Sequence, residues 1–156
     1  AFGQEVQNLT GANITGSTDE DASAFEAGIS TTIMNIGLVG YAYSGEGVGT
    51  TGMLSDGFSN DGKSRDSDGG YVQATYVIPM GTKLGVSYGI SSLDDNATDA
   101  GLNLVKQNER VTVGAYHPLT KHLNLVAEWS NVQSESNGPQ SDLETNVVSV
   151  GAILFF

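Results

Sequence analysis

Asp61, Asp66, Asp68, Asp94, Asp95 and Asp99 crowd two polar stretches of this chain. Crowded carboxylates focus the local field and gather cations. The run Asp66-Ser67-Asp68-Gly69-Gly70 looks like half of a calcium loop, but no Glu follows at the EF-hand distance. A solvated acidic loop is the better reading. The two histidines, His117 and His122, flank Pro118 and Lys121. They bring no third ligand for a metal. No spacing of Ser, His and acid builds a triad, so the chain is not expected to be an enzyme, and no cofactor or metal is implied. The sequons at Asn8, Asn13 and Asn96 fit a composition rich in Asn and Thr and carry little functional weight.

A second group of polar residues sits inside alternating stretches. Glu26, Gln73, Thr75, Lys83, Ser87, Arg110, Thr112, Asn124 and Glu128 occupy the positions between apolar residues. In a strand, that spacing puts them together on one face. Charges on a wet face, here Glu26, Lys83, Arg110 and Glu128, bias ion passage if the face lines a pore. On a rim they serve only as solubilising charge.

The elements that must carry these residues are strands. The chain has 156 residues, enough for one domain spanning 1–156. It has 21 glycines, no cysteine and a formal charge of −12. The acidic balance argues against a nucleic-acid partner, which needs basic patches. No apolar run is long enough for a transmembrane helix. Ala1-Phe2-Gly3-Gln4 lacks the basic start and apolar core of a signal peptide, so the chain is expected to be mature or to begin partway through a longer protein. Residues 1–23 read as an external loop with at most a strand end. Residues 24–156 read as seven strands.

Three short-turn hairpins repeat along the chain. Placing Pro79 on Pro118 superimposes Leu84, Val86, Tyr88 and Ile90 on Leu123, Leu125, Ala127 and Trp129. The earlier pair fits the same template, with Phe25, Ala27 and Ile29 followed by Val39, Tyr41 and Tyr43. Long polar loops at 45–69, 92–108 and 131–142 separate the hairpins. On this reading Tyr41, Tyr43, Tyr88, Trp129 and Phe156 share the apolar face, where aromatics anchor at a membrane interface. The last strand, 143–156, alternates through Val148, Val150, Ala152 and Leu154 to a terminal Phe156. A strand of about 9–11 residues crosses a bilayer at a barrel's tilt. Short turns on one side and long loops on the other are the pattern of outer-membrane barrels.

The hairpins of the Tyr-Val-Gln-Ala-Thr-Tyr-Val kind, the acidic glycine-rich loops and the Val-Ser-Val-Gly-Ala-Ile-Leu-Phe-Phe ending together resemble the carboxy-terminal half of a Gram-negative general porin. The resemblance covers residues 24–156. It implies an all-β fold: a transmembrane antiparallel up-and-down β-barrel, of which this chain supplies part of a 16-stranded wall. It implies passive diffusion of small hydrophilic solutes and ions, a homotrimer in the bacterial outer membrane and a periplasmic carboxy terminus. The implied partners are outer-membrane lipid, lipopolysaccharide and the barrel-assembly machinery, which would read Val148, Val150, Ala152, Leu154 and Phe156. The family's constriction loop comes from the amino-terminal half and is expected to be missing here. Two alternatives are a small non-conducting barrel, structural or adhesin-like, with its function in the outer loops and complete at eight strands if a first strand lies in residues 1–10, and a secreted acidic β-sandwich that binds calcium or sugar. The apolar face that runs to the last residue argues against the sandwich.

Overall fold

The computed structural model describes residues 1–9, 18–50, 56–99, 103–139 and 141–156. The sequon at Asn13 lies outside them. The described chain is all-β. Its strands are β1 (Phe2–Leu9), β2 (Thr18–Ile33), β3 (Ile36–Glu46), β4 (Asp66–Val77), β5 (Lys83–Leu93), β6 (Val105–Pro118), β7 (Leu123–Ser136) and β8 (Leu143–Leu154). They form one antiparallel sheet in chain order. No ladder among the described residues joins β8 back to β1.

Eight strands replace the expected seven. The extra one is β1, which pairs with the first half of β2 from Phe2↔Ala24 to Leu9↔Thr18, with an irregularity between Val6 and Leu9. Apolar alternation cannot reveal this pairing, because Thr18-Asp19-Glu20-Asp21 is polar on both faces. Backbone hydrogen bonds hold it, and those are indifferent to side-chain polarity. For the same reason β4, β6 and β7 reach further into the polar stretches than their apolar cores do.

Cross-strand register sorts the side chains into two faces. One carries Phe25, Ala27, Ile29, Leu38, Val72, Ala74, Tyr76, Leu84, Val86, Tyr88, Val113, Leu125, Ala127, Trp129, Val148, Val150 and Leu154. The other is mostly polar or small. The apolar face is the exposed one: Ile29 is 76% exposed and Val150 82%. Along β7, Leu125, Ala127 and Trp129 are exposed, while Asn124, Val126 and Glu128 are half-buried and Ser130 is buried. Among the described residues, the buried hydrophobic side chains are Ala22, Val48 and Leu93. A water-soluble sheet would show the reverse.

Turn length decides which residues share a face. The turns after β4 and β6 hold an odd number of residues between their last ladder pairs, Val77↔Lys83 and Pro118↔Asn124. The turn after β2 is the two-residue Met34-Asn35, closed by Ile33↔Ile36, with Met34 at φ 56°. A change of turn length by one residue flips every later side chain. Tyr41 and Tyr43 therefore lie opposite Gly28 and Glu26, on the polar face. The expectation that they join the apolar girdle is corrected on this ground.

Close strand packing also fixes glycines. A Cβ on Gly70 would lie 2.3 Å from the Tyr41 carbonyl oxygen, whereas one on Gly151 would meet nothing within 4 Å. Gly70→Ala is expected to destabilise the sheet by about 1–3 kcal/mol. Gly151→Ala should be neutral or stabilising by about 0.5 kcal/mol. Denaturant midpoints of the two variants check both.

Candidate functional site: the polar face and its outer loop

The register puts Glu26, Gln73, Thr75, Lys83, Ser87, Arg110, Thr112, Asn124 and Glu128 on the polar face. Tyr88 and Trp129 lie on the apolar face, as do Val148, Val150, Ala152 and Leu154 of the exposed strand β8. Phe156 follows β8 and is fully exposed. His117 and His122 are in or beside the short turn after β6. His117 shares a hydrogen bond with Thr82 (2.9 Å), and His122 with the Phe155 carbonyl (3.1 Å). No group of metal-ligating side chains gathers among the described residues.

Several polar-face groups are fixed by one another. Arg110 donates through Nε to Thr112 (3.1 Å) and through a terminal nitrogen to buried Ser130 (2.9 Å). Thr112 and Ser130 share a further 2.9 Å hydrogen bond. Tyr116 donates to Glu128, and its ring lies over Gly114, which leaves room for it. These bonds hold charged groups against the sheet.

A tyrosine cluster was missed by the sequence reading. The Tyr41 ring centroid lies 5.7 Å from that of Tyr71 and 6.4 Å from that of Tyr43. Tyr41 donates to Glu26 (2.7 Å). Tyr43 shares a 2.6 Å hydrogen bond with Ser91, whose hydroxyl donates to the Thr50 carbonyl (3.1 Å). The signal available in the sequence was the two-residue turn, which reverses the face of β3.

The Thr50 contact shows where the loop after β3 goes. Ala22 and Leu93 stand at the outer end of the polar face, and both are buried, as is Val48 of the loop. Loop residues 47–50 and 56–65 are laced by backbone hydrogen bonds from Gly47 to Arg65, from Arg65 to Gly57 and from Ser59 to Lys63. The loop covers the outer end of the polar face. Ser67 beneath it holds the one buried side-chain polar atom without a partner among the described residues.

A buried ion pair ties this loop to the next one. Arg65 meets Asp99 bidentately, Nε to Oδ2 at 2.8 Å and a terminal nitrogen to Oδ1 at 2.7 Å. The two side chains are 3% and 0% exposed. Arg65 also donates to the Asp56 carbonyl (2.6 Å). Asp99, in the short 3-10 turn Ala97–Asp99, accepts from the Asn96 backbone (2.9 Å), and the Asn96 side chain donates to the Ser64 carbonyl (3.1 Å). The acidic stretches are thus divided. Asp99 is structural, while Asp61, bonded by Ser59 and Lys63, is held down to about 2. Asp66, Asp68, Asp94 and Asp95 are exposed.

Comparison with known families, curated proteins and solved structures returns no match.

The Asp99 carboxyl is held below its ordinary value, first by the Arg65 hydrogen bonds. Its stabilising contribution is complete above the unfolded carboxylate value of about 3.9. It is lost as the pH falls through the lower folded value. A nitroxide on Asn60→Cys should stay immobile from neutral pH down to about 4 and become mobile only below. Arg65→Ala leaves a buried carboxylate unpaired and should weaken the loop's attachment by about 3–5 kcal/mol. It should mobilise the same label at neutral pH.

Proposed function

We propose that this chain forms part of the wall of an outer-membrane porin, a water-filled channel for passive diffusion of small hydrophilic solutes and ions. The observation that carries the reading is the inverted sheet: its apolar face is the more exposed one, while its polar face is mostly half-buried along β3 to β7. Lipid is the neighbour that an exposed apolar band wants. The crossing strands are long enough. β8 has 12 residues and β7 has 14, against about 9–11 needed for a tilted strand. On this reading Glu26, Gln73, Thr75, Lys83, Ser87, Arg110, Thr112, Asn124 and Glu128 line the lumen. Tyr88, Trp129 and Phe156 face lipid, and the long loops lie outside the cell.

The mechanism needs no energy input. Solutes pass down their gradient through water, and the loop after β3 narrows the route over the polar face. The exposed acids of the outer loops raise the local cation concentration. Open edges at β1 and β8 require partner strands, as a sixteen-stranded wall supplies. A trimer, lipopolysaccharide contacts and delivery by the barrel-assembly machinery belong to the same proposal. The strand count favours one other reading, a small barrel closed by β1 and β8 that does not conduct.

Detergent extraction, intact mass and planar bilayers test this. The expected result is a protein that needs detergent, has a mass well above that of these residues and gives stepwise conductance. A protein that inserts but never conducts sinks the channel. In a conducting protein, Asp94→Asn with Asp95→Asn should lower the cation preference. The effect should be largest at low salt, where screening is weakest.

A further inference from the structure

The tyrosine cluster lies on a face that is otherwise mostly polar or small, and its rings pack beside one another. Tyr71 is 42% exposed there. Tyr41 and Tyr43 spend their hydroxyls on Glu26 and Ser91. What remains presented is the exposed Tyr71 ring beside two tyrosines whose hydroxyls are already bonded.

The surroundings have a definite layout. One row across the sheet reads Gly28, Tyr41, Tyr71, Gly89, Arg110. Gly89 leaves a notch between Tyr71 and Arg110, two strand spacings wide, about 10 Å. A Cβ on Gly89 would already stand 3.4 Å from that of Tyr71. The row on one side holds Glu26, Tyr43 and Ser91. The row on the other holds Gln73, Ser87 and Thr112. Toward the outside, the Thr50 carbonyl bonded to Ser91 marks where the loop covers the face.

We propose that this platform binds neutral oligosaccharides, with a pyranose ring stacked on Tyr71 and Tyr41. An apolar C–H face packs on an aromatic ring, and the hydroxyl rim needs both acceptors and donors. Glu26 offers an acceptor at one end and Arg110 a donor at the other. A cation would meet Arg110 and an anion would meet Glu26, whereas an uncharged polyol uses both. From Glu26 to Arg110 the platform spans four strand spacings, about 19 Å, which suits several sugar units better than one. This site rests on the porin reading for its place in a lumen, but binding itself does not require conduction.

The experiment uses the full-length protein in detergent and in planar bilayers, with glucose and its linear oligomers as probes. Saturation-transfer NMR in detergent reads binding directly, and bilayer current reads block. Binding and block that strengthen with oligomer length are expected. Tyr71→Ala should weaken both by about tenfold, and Tyr71→Phe should retain them. Gly89→Asn fills the notch without removing a ring and should also abolish binding, which guards against a Tyr71→Ala variant that fails to fold. A conducting protein that neither binds nor is blocked by the sugars overturns the site and leaves the channel standing. Block by tetraethylammonium but not by sugars also overturns it. Sugar binding that Gly89→Asn removes, in a protein that never conducts, supports the site and sinks the channel.

Discussion

An apolar sheet face that the described residues leave uncovered is the constraint on which the rest depends. Exposed hydrocarbon costs about 25 cal/mol per Å² in water. Here the exposed face runs from Phe25 on β2 to Leu154 on β8, with large apolar side chains on every strand from β2 to β8. Among the described residues no second layer packs against it: they form a single sheet and one three-residue 3-10 turn. The polar face cannot substitute as a core, since it carries Glu26, Lys83, Arg110 and Glu128. A bilayer on one side and water on the other satisfies both faces. It also demands that no strand edge remain open in lipid, because unpaired backbone groups there cost several kcal/mol each. The porin reading therefore needs neighbours for β1, β8 and the second half of β2.

Which residues meet which medium follows from turn arithmetic. Hairpins with an odd number of turn residues keep like parity across the turn, as in Tyr76↔Leu84 and Ala115↔Ala127. The Met34-Asn35 turn reverses it, so Ile29 faces Gly40 rather than Val39 or Tyr41. Matching hairpins by apolar spacing alone treats every turn as equivalent and sends β3's tyrosines to the wrong face. The corrected face places polar hydroxyls beside polar partners. Tyr41 finds Glu26 and Tyr43 finds Ser91, bonds unavailable on the apolar side.

The sheet itself was legible in the sequence because period-2 alternation is a physical signature of a strand between two media. β4 to β8 follow from it, with faces correctly paired. β1 and the first half of β2 were not legible, since Val6 to Glu20 has no alternation to read. The ion pair was also invisible. Arg65 and Asp99 lie 34 residues apart in separate polar stretches, and each looks like an ordinary solvated charge. Burial is what distinguishes them, and burial comes from the loop fold. The order of the loop after β3 was hidden for the same reason: residues 47–50 and 56–65 look irregular in sequence yet are laced by backbone hydrogen bonds.

That loop and the tyrosine cluster are mechanically one unit. Asp99 anchors Arg65, and Arg65 closes the loop onto Gly47 and Gly57. Thr50 of the same loop accepts from Ser91, and Ser91 is bonded to Tyr43. Tyr43 in turn neighbours Tyr41, whose ring packs beside Tyr71. A short sequence of direct contacts therefore runs from a buried ion pair between two outer loops to an aromatic surface on the polar face. Breaking a bidentate pair in a dry site leaves a charge that water must reach. Water reaches Asp99 only if the loops part, and parting removes the Thr50 carbonyl from Ser91. The ion pair's burial thus does more than join loops. It sets the outer boundary of the space above the tyrosines, and so the size of whatever can lie there.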